Sequence, residues 1–320
     1  MKKNWFRRAL VFIILASLLY FALRNAPLTE ILKTLQQLQL WQIAILLFIN
    51  AVIYALVTLR WWIIVRAESK AIPYLPMLAV RVAVFGVSYF TLGPQVGGEP
   101  LQVLYLQRKY GLTYTRATAS VFMDKLLEFL ANFFLLGVGL TAILQAGILS
   151  GNGSNPFVSL SGLAILFLWP PIHIALMMRG IYPVSLILRR ISNNKLVRFI
   201  AASERMAGTF CRRHFRSLLA AIAVSVFAAV CMVSEYFFIT SFLQIDLLFS
   251  QTVAAWTAGW LAFLVPLPGG LGALEASQVF ALGTFGIAAA SAISVTFLIR
   301  GRDLLIGGVG LLFASGGVRK

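Results

Sequence analysis

Along the chain, apolar runs long enough for a bilayer alternate with short polar or Pro/Gly breaks. The first run covers residues 5–24, and a polar stretch with Glu30, Lys33, Gln36, Gln37 and Gln39 follows it. The second covers 41–65, with Trp41 at one end and Trp61 and Trp62 at the other, as indoles settle at membrane–water interfaces. Residues 75–92 are apolar, then Gly93-Pro94-Gln95-Val96-Gly97-Gly98-Glu99-Pro100 breaks the run. A long helix is predicted over 117–147, followed by an uncharged turn from Ser150 to Pro156. A span over 158–178 contains Pro170, Pro171 and His173. A basic stretch over 179–217 and spans over 218–242 and 248–265 follow. A second break, Pro266-Leu267-Pro268-Gly269-Gly270-Leu271-Gly272, precedes apolar segments at 273–285 and 287–315.

Composition turns this pattern into a membrane protein. The chain has 320 residues, 60% hydrophobic and 12% charged, with a mean hydropathy of +0.89. Soluble domains run at about 45–50% apolar and about 25% charged. At roughly 20 residues per span, the length holds about seven or eight crossing or dipping segments and no separate soluble catalytic domain. The formal charge of +17 is an orientation signal rather than a nucleic-acid surface. With each break folded as a hairpin returning to its own side, 20 of the 27 Lys and Arg fall on one face. Arg24 and Lys33 fall on the other, and five lie within helices. This puts both termini in the cytoplasm of a bacterial or archaeal cell whose inner membrane holds the chain. The first run lacks a small-residue cleavage site and reads as an uncleaved span.

The two breaks have the same design: an apolar helix, a kink with Gly-Gly, a short returning segment, and a long helix with charges near its middle. One hairpin, near 75–108, opens inward, and the other, near 248–285, opens outward. The expected architecture is therefore all-α, a single membrane domain over 1–320, with about six full spans and two oppositely oriented re-entrant hairpins. The repeats cover 1–150 and 151–320, as an inverted repeat that places a site at the bilayer midplane.

Candidate chemistry follows from what lipid cannot satisfy. Backbone broken at membrane depth must line a wet or protein-filled interior. Gly97, Gly98, Gly269 and Gly270 allow close approach to a headgroup there. Charges inside spans cost about 2.5–3.5 kcal/mol each on insertion scales and must face a cavity or one another. Asp124 and Glu128 share a helix face beside Lys125; Arg300 and Asp303 share another, with Arg302 turned away. Glu99 and Glu275 flank the breaks, Arg81 lies in the first hairpin, and Glu235 stands alone in its span. Four cations against six carboxylates give this interior a charge of −2, which suits a headgroup carrying phosphate and amine, or a proton. The stretch 179–217 alternates basic and apolar residues as an amphipathic helix on an anionic leaflet does.

Catalytic signatures are missing. No metal spacing, P-loop, GxSxG or HExxH is present, His173 and His214 are the only histidines, and Cys211 and Cys231 read as small buried hydrophobes. The expectation is a protein that is not an enzyme and needs no cofactor or metal.

The segment GGEPLQVLYLQRKYGLTYTRATASVFMDKLLEF, with PLPGGLGALEA and a mid-membrane arginine after it, resembles the lysylphosphatidylglycerol synthase transmembrane-region family of flippase-like proteins. In that family's best-known members this region precedes a soluble synthase domain and moves the lipid product between leaflets. The synthase domain is expected to be absent here, so the resemblance implies lipid translocation without aminoacyl transfer. The implied partners are membrane lipids, whether anionic or aminoacylated phospholipid or a polyprenyl-linked lipid. A homo-oligomer or a lipid-modifying enzyme is a further partner, and nucleic acid is excluded. Two other readings remain open: a non-catalytic partner of such an enzyme, and a membrane enzyme acting on a phospholipid or polyprenyl lipid.

Overall fold

The fold is that of a computed structural model, which describes residues 36, 38–69, 72–91, 97–145, 168–192, 194–265 and 267–317. The first predicted span, the turn at 150–156, residues 93–96 of the first break and the two terminal basic residues lie outside them. All described elements are helical: α1 (Leu40–Glu68), α2 (Tyr74–Tyr89), α3 (Glu99–Tyr110), α4 (Tyr114–Gln145), α5 (Leu168–Met178), α6 (Pro183–Ile191), α7 (Lys195–Arg213), α8 (Phe215–Phe242), α9 (Phe249–Ala262), α10 (Ala273–Gly283) and α11 (Ala289–Gly317).

Helices α1 and α8 are long and apolar enough to cross a membrane, and α5 with α6 makes a third candidate bent by 92°. Of the six full spans expected, the one at 5–24 and the first half of the one at 158–178 lie outside the described residues. Helices α4 and α11 run for 32 and 29 residues, about 48 and 44 Å, long enough to reach across a bilayer, and α11 carries Arg300, Arg302 and Asp303 near its middle. The hairpin helices are too short. At 16, 12, 14 and 11 residues, α2, α3, α9 and α10 measure about 17–24 Å against a hydrocarbon core of about 30 Å. Within each pair, α2 packs on α3 and α9 on α10.

The two halves repeat with a fixed offset. Helix starts at 40, 74, 99 and 114 recur at 215, 249, 273 and 289, offsets of 175, 175, 174 and 175. The glycines after the returning helices obey the same rule: Gly111 (φ 67°) and Gly286 (φ 81°) both take the left-handed conformation that frees a helix end. The halves also clasp each other reciprocally, α2 packing on α11 and α9 on α4, while the equivalent helices α1 and α8 pack together. That last pair is antiparallel, since Trp41 meets Phe242, Asn50 bonds Glu235, and Ile64 packs with Leu218. Each half has its own core, around Trp61, Met77 and Leu106 in the first and Tyr236, Leu274 and Leu282 in the second.

Small residues set the distance of the clasps. A Cβ on Gly86 of α2 would lie 2.6 Å from the Gly307 carbonyl oxygen of α11, and one on Gly139 of α4 would lie 3.0 Å from Ala254 Cα of α9. Gly307 and Gly310 of α11 belong to the same close contact, whereas Gly283 and Gly286 meet nothing within 4 Å.

Helices α6 and α7 form the basic amphipathic segment. Arg189, Arg190, Lys195 and Arg198 are exposed beside exposed Leu186, Ile187, Ile191 and Leu196, while Phe210 and Cys211 bury against α4. Glu204 of α7 ties this layer down. Its carboxylate accepts the Val184 and Ser185 backbone N–H groups at 2.9 and 2.7 Å and the Ser185 hydroxyl, capping α6, and His173 Nε2 of α5 stands 3.1 Å away. Burial alone would raise its pKa, but these contacts hold the carboxyl below the usual glutamate value.

Candidate functional site

The charged side chains buried among the spans form three groups. The first joins four helices of one half. Asp124 of α4 is fully buried and accepts Arg60 Nε of α1 and Arg81 Nη2 of α2, each at 2.6 Å. Arg60 Nη2 also donates to Glu128 at 3.1 Å, and Lys125 Nζ stands 3.4 Å from both Glu128 and Glu99. In the second group, Arg302 of α11 pairs with Glu235 of α8 at 2.7 Å and with Asp303 at 2.8 Å, and Asn50 of α1 donates to Glu235. In the third, Arg300 grips Glu275 through Nε (2.5 Å) and Nη2 (2.8 Å), and donates to the Gly269 and Gly270 carbonyls at 2.8 and 3.2 Å.

The repeat offset runs through this chemistry. Lys125-Leu126-Leu127-Glu128 and Arg300-Gly301-Arg302-Asp303 match at 175 residues, each a cation followed three places later by a carboxylate. Glu99 and Glu275 match at 176. Each caps a returning helix, Glu99 through the Gly97 N–H at 2.8 Å and Glu275 through the Gly272 N–H at 2.9 Å, and each is bound by the matching cation. Arg60 and Glu235 also match at 175, with opposite charge.

A cavity of about 230 Å³ lies between the halves, its wall drawn from α1–α4 and α8–α11. Of the residues singled out in the sequence, Arg81, Glu99, Lys125, Glu128, Glu235, Arg302 and Asp303 line it. Gly97, Gly98, Asp124, Gly269, Gly270, Glu275 and Arg300 do not. Asp124 is sealed behind its two arginines. Gly269 and Gly270 have positive φ and their carbonyls are taken by Arg300, so the second break is filled by protein. Gly98 lets α3 approach α2, a Cβ there falling 2.6 Å from Ser88 Oγ.

Three pairings differ from the sequence expectation. Arg300 binds Glu275 rather than Asp303, because the returning helix α10 brings Glu275 alongside α11. Arg302 is not turned away but bonds Asp303 and Glu235, so Glu235 does not stand alone. Arg60, one of the five basic residues placed within helices and the neighbour of the buried Trp61, is 2% exposed and belongs to the first group. Adding it gives five cations against six carboxylates, a charge of −1 rather than −2.

Other polar residues of the wall were missed. Asn50 and Gln102 carry no charge and so gave no membrane-depth signal; the match of Glu99-Pro100-Leu101-Gln102 with Glu275-Ala276-Ser277-Gln278 was the available clue. Among the described residues no group of three or more His, Cys, Asp or Glu is placed to hold a metal ion.

Comparison with curated proteins and with solved structures gave no match. The family described as the lysylphosphatidylglycerol synthase TM region matches residues 8–310, nearly the whole length, and the chain belongs to that family.

Proposed function

We propose that the chain moves a polar lipid headgroup across the membrane through the cavity between its halves, while the acyl chains stay in lipid. Family membership supports a membrane protein related to lipid handling. The observation that carries the finer reading is the cavity itself: a space at the junction of two matching halves, its wall largely apolar but set with ion pairs on both of its sides. A volume of about 230 Å³ falls below the ~300–1,000 Å³ of pockets that enclose whole drug-sized molecules, which suits a headgroup.

On this reading α2–α3 and α9–α10 are re-entrant hairpins, dipping from opposite faces because the equivalent helices run antiparallel. The halves then form an inverted repeat, and rocking of one half against the other alternates access to the cavity. The 20 basic residues mark the cytoplasmic side of an inner membrane, both termini included, and α6 with α7 rests on the anionic leaflet. No covalent chemistry is assigned to the buried charges, which are bonded to one another, to backbone and to neutral side chains such as Asn50.

The test is leaflet exchange. Purified full-length protein in liposomes should accelerate exchange of at least one fluorescent lipid over protein-free liposomes, measured by chemical quenching of the outer leaflet. Equal rates with and without protein for every headgroup tried would reject translocation. Appearance of a modified lipid instead would favour an enzyme.

A further inference from the structure

The two halves differ at one buried polar position. Gln278 of α10 is fully bonded: Tyr236 Oη donates to its Oε1 at 2.5 Å, and its Nε2 donates to the Ala255 carbonyl at 2.9 Å. Its counterpart Gln102 on α3 is 1% exposed, yet neither its amide nitrogen nor its amide oxygen has a partner. The residue matching Tyr236 is Trp61, 175 places earlier, whose indole can only donate and is itself unpartnered. Gln102 lines the central cavity, as does Trp260, whose buried indole N–H is also unpartnered. Buried polar groups in folded proteins are nearly always bonded. Neutral orphans on the wall of one cavity therefore point to a ligand that completes them.

The charged groups of the same wall are already engaged with each other. Lys125 faces Glu99 and Glu128, Arg302 holds Glu235 and Asp303, and Arg81 holds Asp124. What the cavity leaves open is an amide that donates and accepts, and an indole that donates. An ammonium alone can only donate and a phosphate oxygen alone only accepts, so neither by itself pairs both atoms of Gln102, and the wall leaves no free charge to balance either. A hydroxyl does both.

Resting on the translocation reading, we propose that the cargo is an uncharged, hydroxyl-rich headgroup of the glycosyl-diacylglycerol class, and that Gln102 is the residue that recognises it. Trp256, Trp260, Tyr54 and Phe85 line the same cavity and offer ring faces for the C–H faces of a sugar.

The experiment uses the full chain in liposomes with fluorescent monoglucosyl-diacylglycerol, phosphatidylglycerol and phosphatidylethanolamine. In detergent, tryptophan fluorescence is titrated with short-chain glucosyl-diacylglycerol and short-chain phosphatidylglycerol. The glucosyl lipid is expected to exchange fastest and to bind saturably. Gln102→Leu should slow its exchange and weaken its binding roughly tenfold, the loss expected when a bonding partner is removed. The same variant should keep or raise the unfolding temperature, because it deletes an unsatisfied polar group, whereas Gln278→Leu should lower it. Preference for either phospholipid, or glucosyl-lipid binding and exchange unaltered by Gln102→Leu, would overturn the cargo assignment and leave translocation standing. Binding of the glucosyl lipid that depends on Gln102, without exchange of any probe, would uphold the recognition site and reject translocation.

Discussion

At the scale of single residues, matching carboxylates carry different duties. Glu275 is held by two Arg300 contacts and lies off the cavity, whereas Glu99 faces Lys125 at 3.4 Å on the cavity wall. Glu275→Gln removes one partner of a largely buried pair and should cost about 3 kcal/mol, read as a lower unfolding temperature in detergent. Glu99→Gln should unfold close to wild type and instead slow leaflet exchange, since it loosens the start of the helix that carries Gln102. Glu204 makes a separate, pH-dependent prediction. Its pKa is lowered in the fold, so its contribution to stability is present above the ordinary glutamate value of 4.5 and is lost as pH falls through the depressed folded value. The stability gap between wild type and Glu204→Gln should be full near pH 7 and shrink as the pH drops below about 4.5. A gap that widened on acidification would contradict the capping role. These pairings were only half legible in the sequence. The cost of charge in lipid identified the residues, but partners depend on which helix comes alongside, and Arg300 found Glu275 across a turn rather than Asp303 on its own helix.

At the scale of elements, the interruptions between the short paired helices could be read early because they are made of Pro and Gly, whose backbone limits are local. The clasps between halves could not, because a glycine facing lipid and one facing a helix look the same in one dimension. Gly86 and Gly308 separate the two cases. A methyl at Gly86 meets the Gly307 carbonyl at 2.6 Å and the Leu311 nitrogen at 2.9 Å, while one at Gly308 meets nothing within 4 Å. Gly86→Ala forces α2 off α11 and should destabilise by about 1–3 kcal/mol. Gly308→Ala should stay within about 0.5 kcal/mol of wild type, helped by alanine's better helix propensity. Thermal unfolding of the two variants side by side checks this. An equal response would mean that the α2–α11 contact is not a close one. The bend of α5 into α6 was anticipated only as a change from apolar to basic composition, and the structure adds the 92° turn that Glu204 secures.

At the scale of the whole molecule, the constant offset has a consequence for topology. Equivalent positions of an inverted repeat must emerge on opposite sides of the membrane; those of a parallel repeat emerge on the same side. Thr113 and Ala288 are equivalent at 175 residues, both exposed, and each lies just before the long helix of its half. On the proposed orientation, the distribution of basic residues puts Thr113 inside, close to Arg108, Lys109 and Arg116, and Ala288 outside. A thiol probe can read this with few changes to the chain. Burial pushes the Cys211 thiol up to about 11, so it stays protonated and unreactive near pH 7, and only Cys231 needs replacement by alanine. In that background, an impermeant maleimide added outside intact cells should label Ala288→Cys and spare Thr113→Cys until the membrane is opened. Labelling of both from the same side would make the repeat parallel and remove the basis for alternating access. The antiparallel packing of α1 against α8, with Asn50 reaching Glu235 at one level and Ile64 meeting Leu218 at another, favours the first of these results. Helices equivalent by offset and opposed in direction can share a bilayer only if their halves are inverted.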